Sequence, residues 1–355
     1  MTTDAADSAL NLSLVRDRND ATVLRAVRGC GAEGVSRVQL AAHTGLTAQA
    51  ISKITGRLLA DGLLTEAGRV GGGPGKPRTL LTLVPDARCA LGAQLGRDGL
   101  RVLRVDLAGS VTGSRREAVD LRGEPGPVLD RLAELVGELT ADVAADRVLG
   151  VGLACPGPLD TRSGVLHEVT GLPGWRGVRV GAELAARVGL PVLVEKDTTA
   201  GVLGRLGAEN RAFVYLGDGV GAGLVLGGRV QRGARTNAGE FGHQCVELAG
   251  PPCACGARGC LEAVCLAALR EGRPDRAARV LGVGVANLVR LLDLEEVVLG
   301  GDVLLGAPDR FEAAIRAELA DRLPDPAWQS VTLTRAPWAA IPLGAAGVVL
   351  AGVFG

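Results

Sequence analysis

The sequence predicts an α/β protein in two parts, a small helical module at the N-terminus and a larger body of alternating strands and helices. Residues 36–64 carry apolar side chains at helical spacing around a central glycine. From residue 89 onward, short apolar runs alternate with helical patterns. The chain has 355 residues, 47% of them hydrophobic, which leaves room for two or three domains with their own cores.

Charge is distributed unevenly along the chain. The formal net charge is zero, but residues 1–83 contain ten Arg or Lys and seven Asp or Glu, a net charge of +3. The remainder therefore carries −3. A basic module on a mildly acidic body is typical of a nucleic-acid-binding head, although this balance alone does not establish one.

The most apolar stretch lies at the C-terminus. Residues 341–355 are too few and too rich in glycine to cross a membrane, and a buried helix is the better interpretation. The sequence opens without a charged-then-apolar export signal. We therefore expect a cytoplasmic protein with no membrane partner.

Residues 1–83 have the pattern of a winged helix-turn-helix. Ser13 to Val27 predicts a first helix, and Ser36 is placed to cap a second. Gly45 supplies the turn, where a positive φ costs glycine little, and Thr47 is placed to cap the recognition helix. One face of that helix carries the apolar side chains of Ala50, Ile51, Ile54 and Leu58.

The opposite face of the recognition helix is predicted to read bases in the major groove. Gln49 can pair with adenine, Ser52 can donate or accept, and Lys53 suits guanine or a phosphate. An amphipathic helical hairpin used only for packing is the alternative. The candidate DNA contacts on this helix are Thr47, Gln49, Ser52, Lys53 and Arg57.

A glycine-rich basic segment follows the recognition helix. Residues 68–79 read GRVGGGPGKPRT between two strand-like runs, which is the pattern of a wing. Its short-sided GKPR stretch fits the narrow minor groove, so we assign Lys76 and Arg78 to that contact. A flexible linker is the alternative. Turn-forming residues mark 84–88 as the linker to the body, residues 89–355.

Residues 238–262, AGEFGHQCVELAGPPCACGARGCLE, concentrate metal-ligand residue types. One imidazole and three thiols form a Cys₃His set, the pattern of a tetrahedral structural zinc site. Disulfides or buried unligated thiols are the alternatives, and the missing export signal disfavours disulfides. We predict one zinc ion within residues 243–260, and its candidate ligands are His243, Cys253, Cys255 and Cys260.

The same segment resembles a known family. Gly-Glu-Phe-Gly-His at 239–243, followed by Cys-x-Cys-Gly-x-x-Gly-Cys-x-Glu at 253–262, is similar to the signature of the ROK family of repressors, open reading frames and sugar kinases. Further landmarks, GLPGW at 171–175 and VLVEKDTTAGVLGRL at 192–206, extend the resemblance over nearly the whole chain. It implies a two-lobed actin-like ATPase fold with a sugar cleft between the lobes. The N-terminal module resembles that of the family repressors, which the kinases usually lack.

The resemblance also implies roles for cleft residues. His243 would bind zinc through one ring nitrogen and face a sugar hydroxyl with the other, because ligation fixes the tautomer. Glu240 and Glu262 match the two family glutamates that accept hydrogen bonds from the sugar. Asp197 matches the catalytic base of the kinases, and we interpret it here as a ligand contact.

Lys196 stands where the family kinases carry an asparagine that touches the sugar. Only three lysines occur in the chain. One interpretation is that the ammonium of Lys196 pairs with Glu195 or another cleft carboxylate, since buried charges are normally paired. The other is that it meets an anion on the ligand, such as the phosphate of a phosphosugar.

Two loops depart from the kinase pattern. Family kinases read Asp-x-Gly-Gly-Thr in the first hairpin, where this chain has QLGRD at 94–98, without the acid. Their Gly-Thr-Gly loop is replaced by Gly217-Asp218-Gly219, whose carboxylate repels phosphate. Phosphoryl transfer depends on positioning and charge neutralisation. We therefore expect the protein not to be an enzyme.

Together these patterns predict a sugar-responsive DNA-binding repressor of carbohydrate-metabolism genes. Its partners would be operator DNA and a sugar or sugar-phosphate effector. A homodimer or dimer of dimers is expected, because one recognition helix reads only a half-site. The alternatives are an ATP-dependent sugar kinase fused to a DNA-binding head, and a ligand-blind DNA-binding scaffold with a structural zinc.

Overall fold

The computed structural model describes residues 18–70, 78–204, 207–323, 325 and 328–354. It is a mixed α/β fold, with a three-stranded sheet in the N-terminal head and a five-stranded sheet in each of two lobes. The predicted α/β fold class is confirmed, with a winged helix-turn-helix followed by a two-lobed actin-like body.

In the head, the ends of α2 and α3 are fixed by capping residues that lie next to them in the sequence. The elements are α1 (Arg18–Cys30), β1 (Val35–Ser36), α2 (Arg37–Thr44), α3 (Ala48–Ala60), β2 (Leu64–Val70) and β3 (Arg78–Leu83). Ser36 and Gln39 form a capping box at the start of α2, Gly45 ends it at φ 71°, and the Thr47 side chain accepts from the Ala50 N–H to cap α3. The helix predicted to stop at Val27 continues to Cys30. The strands pair antiparallel in the order β1-β3-β2.

The first lobe is a mixed sheet covered by helices. Its elements are β4 (Cys89–Gly96), β5 (Gly99–Asp106), β6 (Val111–Glu117), α4 (Pro125–Thr140), β7 (Val148–Cys155), the short β8 (Leu159–Asp160) and β9 (Val165–Leu166), α5 (Val180–Val188), β10 (Val192–Lys196) and α6 (Asp197–Leu203). The strand order is β10-β7-β4-β5-β6. Because β4, β7 and β10 run parallel, their carboxyl ends meet at one edge of the sheet.

The second lobe repeats this plan. Its elements are β11 (Arg211–Leu216), β12 (Val220–Leu226), β13 (Arg229–Val230), α7 (Leu261–Arg270), α8 (Pro274–Leu292), β14 (Glu296–Gly300), α9 (Asp302–Gly306), α10 (Pro308–Arg322), β15 (Thr332–Arg335) and α11 (Ala340–Phe354). The strand order is β13-β12-β11-β14-β15. The helix α11 leaves this lobe and packs on β4, β5 and β7 of the first.

The helix α11 is the apolar C-terminal run that the sequence predicted to be a buried helix. It has no charged residue, and most of its side chains are buried. Across the described ranges, no helix is both long enough and apolar enough to span a membrane.

The segment predicted as a linker is packed between head and body. Pro85–Ala87 forms one turn of 3₁₀ helix, and Ala87 is buried. The Val84 N–H donates to the Leu63 carbonyl of the head, and the Leu107 N–H of the body donates to the Pro85 carbonyl, both at 3.0 Å. The apolar side chains of head and body form one continuous cluster. We keep 1–83 and 89–355 as proposed domain boundaries, but residues 84–88 are not a free tether.

Candidate ligand cleft, metal cluster and nucleic-acid interface

A cleft lies between the two lobes at the carboxyl ends of β4, β7 and β10. It encloses about 100 Å³. The first lobe supplies its wall through the ends of these strands, and the second through the β11–β12 turn and the residues around 240. All five candidate ligand contacts line it, namely Lys196, Asp197, Glu240, His243 and Glu262.

Asp197 is the first residue of α6 and projects into this cleft. Its Oδ1 accepts a hydrogen bond from the Thr198 N–H at 2.6 Å. Burial raises the pKa of Asp197 to about 6, and the neighbouring charge of Lys196 opposes that rise. At neutral pH the carboxylate is mostly ionised and can accept a hydrogen bond from a ligand hydroxyl.

Lys196 has a partner inside the protein. Its Nζ lies 2.5 Å from Glu240 Oε1 and donates to the Ala238 carbonyl at 3.2 Å, and its side chain is only 5% exposed. Glu195 pairs instead with Arg232, at 2.6 Å. The internal ion pair of Lys196 is therefore with Glu240 rather than Glu195, and its contact with a ligand anion stays a prediction.

Glu262 is also engaged from within. It lies in the first turn of α7, and its Oε2 accepts a hydrogen bond from the Val220 N–H at 2.8 Å. Its carboxylate is thereby held at the cleft wall beside Asp218. Glu240 Oε2 lies 3.7 Å from His243 Nε2, so the imidazole presents Nε2 on the cleft side.

The other ring nitrogen of His243 belongs to the Cys/His cluster. The four candidate ligand atoms lie within 4.8 Å of one another. Cys253 Sγ is 3.6 Å from His243 Nδ1, and Cys255 Sγ is 3.7 Å from Cys260 Sγ. Tetrahedral zinc with bonds of about 2.3 Å to sulfur separates its ligands by about 3.8 Å. The predicted residues therefore come together as a cluster that could bind a metal ion.

The loop that carries the cysteines is fixed by backbone hydrogen bonds. The Cys253 N–H donates to the Ala257 carbonyl at 2.8 Å, and the Gly256 N–H returns to the Cys253 carbonyl at 3.0 Å. Burial raises the pKa of the Cys260 thiol to about 12. A bound cation would reverse that shift, because coordination favours the thiolate. Cys245 is exposed and lies outside the cluster.

An ion-pair group without a local sequence signal lies next to the cleft at the β4–β5 turn, which we call the phosphate side because the resemblance to family kinases places their first phosphate loop there. Arg101 of β5 pairs with Asp98 in the β4–β5 turn and, at 2.6 Å, with Asp302 at the start of α9. Arg116 joins the same two carboxylates at 3.3 and 3.2 Å. Arg101 Nη1 also donates to Gln94, at 3.3 Å. Since Asp302 belongs to the second lobe, these arginines connect the two lobes at the β4–β5 turn.

Burial acts to raise the pKa of both acids of this group, but their neighbours act in opposite directions. The pKa of Asp98 rises, because its burial and the adjacent Asp302 outweigh the charge of Arg101. The pKa of Asp302 is lowered on balance, because the hydrogen bond from Asp98 and the charges of Arg101 and Arg116 outweigh its burial. No local sequence signal pointed to this group, because its members come from elements about 200 residues apart.

On the head, four of the candidate DNA contacts are exposed along the start of α3. These are Thr47, Gln49, Ser52 and Lys53. The fifth candidate, Arg57, is 31% exposed, and its guanidinium forms an ion pair with the buried Asp20 of α1. Its contact with DNA stays a prediction. Arg78 is exposed at the start of β3, and Lys76 lies outside the described residues.

Comparison with known proteins identifies the family. Residues 91–271 match the model of the ROK family, and the chain belongs to that family. The xylose repressor of Caldicellulosiruptor bescii is 24% identical over 339 residues, covering 82% of this chain and 84% of the relative. The DNA-binding transcriptional dual regulator NagC of Escherichia coli is 28% identical over 296 residues, 80% of this chain and 70% of the relative.

Solved structures share the fold. A ROK family transcriptional regulator, described as a homolog of the E. coli MLC protein, has a TM-score of 0.75 at 24% identity and covers 95% of this chain and 97% of its own. The ROK hexokinase from Thermus thermophilus has a TM-score of 0.60 at 30% identity and covers 73% of this chain and 96% of its own. The likeness to the regulator therefore includes both head and body.

Proposed function

We propose that this protein is a sugar-responsive transcriptional repressor of carbohydrate-metabolism genes that does not transfer phosphate. The main support is that the acidic residues on the two sides of the cleft have different partners. Carboxylate acceptors line the sugar side, whereas Arg101, next to the cleft on the phosphate side, is already paired with Asp98 and Asp302. A winged helix-turn-helix precedes this cleft. Relatives named xylose repressor and NagC support the same function.

The effector is a sugar or a sugar phosphate. Asp197, Glu240 and Glu262 present carboxylate oxygens to the cleft, and His243 presents a ring nitrogen. Several acceptors converging in a small polar cavity suit a ligand with many hydroxyl donors. Lys196 takes part through its pair with Glu240.

The Cys/His cluster is a structural zinc site in this proposal. Four ligands would close the coordination shell and leave no open position for catalysis. The ion would be held by His243 Nδ1 and the three thiolates, and it would fix the direction of His243 Nε2 toward the effector. Zinc would thus stabilise the loop and orient one sugar contact.

The head binds operator DNA as part of a symmetric dimer on a near-palindrome. Thr47, Gln49, Ser52 and Lys53 face the major groove, and Lys76 and Arg78 of the wing reach the minor groove. Arg57 stays a candidate DNA contact, because its pair with Asp20 leaves its side chain 31% exposed. One recognition helix covers a half-site, so a second copy of the chain completes the operator.

Selection of binding sites from random duplexes, followed by footprinting, tests the DNA assignment. Arg78→Ala is expected to weaken binding about equally for all sequences and to flatten its salt dependence. Gln49→Ala is expected to change base preference instead. Arg122→Ala, an exposed arginine of the body, serves as the matched control and should change neither. A wild-type footprint in both head variants would contradict the groove assignment.

Thermal shift tests the effector assignment. The panel contains D-xylose, D-glucose, N-acetyl-D-glucosamine and the phosphates of each. A ligand present at 100 times its Kd should add about 2.7 kcal/mol to the free energy of unfolding. Stabilisation by no panel member, together with unchanged DNA binding in their presence, would contradict sugar responsiveness.

The kinase alternative rests on Asp197 and on glucokinase relatives, one of which, from Thermotoga maritima, is 37% identical over 156 residues. ATP-dependent phosphorylation of the panel sugars separates the two functions. We expect no turnover, because the Asp218 carboxylate lines the cleft and would repel phosphate, and the nearby cation Arg101 is already paired with Asp98 and Asp302. Turnover that disappears in Asp197→Asn would overturn the proposal.

A further inference from the structure

One helix contacts both the ligand cleft and the DNA-binding head. The C-terminal helix α11 begins against the cleft element α6 and ends against α1 of the head. Its 15 residues span about 22 Å at 1.5 Å per residue. The described contacts at its two ends differ in kind, with backbone packing at the cleft end and a polar clamp at the head end.

At the cleft end, α11 and α6 meet through their backbones. A Cβ added at Gly344 would lie 1.7 Å from the Ala200 carbonyl oxygen of α6. A Cβ at Gly204, which ends α6, would lie 2.0 Å from the Ala340 carbonyl oxygen of α11. The two backbones are in direct contact at both positions. A displacement of α6 is therefore expected to move α11 as well, because no free space separates them. The first residue of α6 is Asp197, the proposed ligand contact.

At the head end, two arginines of α1 hold the last residues of α11. Arg25 donates to the Phe354 carbonyl from Nε at 3.0 Å and from Nη2 at 2.6 Å. The guanidinium of Arg28 lies 4.7 Å above the Phe354 ring centroid. Cations at the carboxyl end of a helix also interact favourably with its dipole. Around this clamp, Val353 of α11 and Leu24 of α1 are buried in the same apolar cluster.

The contacts continue from α1 to the DNA-reading helix. Asp20, in the first turn of α1, is fully buried and pairs with Arg57 of α3. Because the buried Asp20 carboxylate would lose its partner if the two helices separated, α3 is expected to follow α1. A continuous series of contacts therefore runs from Asp197 through α6, α11 and α1 to α3.

We propose that α11 is the element through which the cleft and the DNA-binding head are coupled. This inference rests on the proposed function, because it assigns the route by which effector binding changes operator binding. Closure of the cleft on a ligand moves α6, α11 moves with it as a rigid rod, and the clamp on Phe354 shifts α1 and α3. Packed interfaces of this kind change between discrete arrangements instead of deforming gradually.

Two glycines of α11 provide a matched pair for the first test. Gly344→Ala places a methyl group against the Ala200 carbonyl, whereas Gly347→Ala points into open space. The readout is amide hydrogen exchange in α1, about 15 Å along α11 from Gly344. We expect Gly344→Ala to raise exchange at residues 22–30 at least tenfold, and Gly347→Ala to leave it unchanged.

The helix α8, which packs on α10, serves as the internal reference for this measurement. Its exchange should be the same in wild type and both variants. Unchanged exchange at residues 22–30 in folded Gly344→Ala would overturn the relay. So would equal rises in α1 and α8, because they would indicate a general loss of stability. This test needs no ligand, so its outcome is independent of the effector assignment.

Arg25→Met provides the second test and does not alter the core of α11. It removes the donors to Phe354 while keeping a long apolar side chain. The readout is the ratio of operator Kd with and without the panel sugar that stabilises the wild type most. We expect the ratio to fall at least fivefold toward 1, with sugar Kd and sugar-free operator Kd each within threefold of wild type.

The outcomes separate the two proposals. A wild-type ratio of 1 would contradict the proposed sugar-responsive function and leave the exchange test to decide the relay. A wild-type ratio that persists in Arg25→Met, with both separate affinities intact, would contradict the relay and leave the proposed function standing.

Discussion

The two halves of the cleft use their charged residues in opposite ways. On the sugar side, Asp197, Glu240 and Glu262 line the cavity, with oxygens available to a ligand. On the phosphate side, Asp98 and Asp302 are paired with Arg101 and join the lobes. Both halves contain carboxylates in similar number, so composition alone does not distinguish a ligand site from an internal clamp. The distinction lies in position, because the first set of acids lines the cavity, whereas the second lies next to it and is paired with arginines.

The difference indicates what a regulator retains from a kinase-like cleft. Binding a sugar needs only the acceptor side. Binding a nucleoside triphosphate also needs hydrogen-bond donors and cations that are free to neutralise its phosphate groups. Arg101 supplies such a cation, but two carboxylates already surround it.

The largest expected effect follows loss of the metal cluster, which supports the sugar side through His243. Cys260→Ser should reduce bound zinc from one ion per chain to none and lower the free energy of unfolding by at least about 3 kcal/mol. Sugar affinity should fall at least tenfold, because His243 loses its fixed orientation. Elemental analysis, thermal unfolding and calorimetric titration measure these changes.

Cys245→Ser is the matched control for the metal prediction, since Cys245 is exposed and outside the cluster. It should retain zinc, stability and sugar binding. Wild-type protein that contains no metal after purification without chelators would show the zinc assignment to be wrong.

Removing the Arg101 ion pairs on the phosphate side should have the next largest effect on the free energy of unfolding. Arg101→Met leaves Asp98 and Asp302 with only the exposed Arg116 between them, and we expect a loss of about 2–3 kcal/mol because Arg101 is only 6% exposed. Arg116→Met, at a side chain 57% exposed, should cost less than about 1 kcal/mol. Denaturant unfolding measures both values. Equal losses in the two variants would show that the lobes are not joined mainly through Arg101.

Asp197, on the sugar side, should make the free energy of unfolding depend on pH. Its pKa is raised from 3.8 to about 6 on folding, so the folded state binds the proton more tightly than the unfolded chain. This contribution favours folding below pH 4 and is lost as the pH rises toward 6. Asp197→Asn should therefore be more stable than wild type by about 2 kcal/mol at pH 7.5.

The same substitution should weaken sugar binding. Wild-type affinity is expected to fall as the pH drops below about 6, because the protonated carboxyl loses acceptor capacity. Unfolding and sugar titration between pH 4.5 and 8 test both effects. A variant less stable than wild type at pH 7.5 would show that Asp197 is structural and not held for a ligand.

The smallest effect is expected at Lys196, which the sequence left between two interpretations. Its ammonium already pairs with Glu240. Lys196→Asn should therefore change the ratio of affinities for a neutral sugar and its phosphate by less than threefold. Calorimetric titration with D-glucose and D-glucose 6-phosphate measures this ratio. A loss of more than tenfold, confined to the phosphate, would instead show that Lys196 contacts the anion.

Features set by residues close in sequence could be predicted. The caps Ser36 and Thr47 and the turn at Gly45 fix the head within a few residues, and all three are confirmed. The Cys/His cluster was predictable because three of its ligands lie within eight residues and each has few alternative roles. Its assembly into one group is found, while zinc itself stays a prediction.

Features set by distant residues could not be predicted. The pairs Arg57–Asp20 and Arg101–Asp302 join elements separated by 37 and 201 residues, and charged residues are common enough that no pairing stands out in the sequence. The packed junction at 84–88 was missed for a related reason. Proline and aspartate predict a turn but not what the turn packs against.

The continuous core of head and body has a consequence for how operators are arranged along DNA. A head on a slack tether could follow half-sites that move apart, whereas a head sharing its core with the body holds a fixed angular position. In a dimer, the two recognition helices would then meet the duplex at one separation only. Inserting five base pairs between half-sites rotates one of them by half a turn of the double helix. Helical phasing would therefore restrict the set of operators in addition to base sequence.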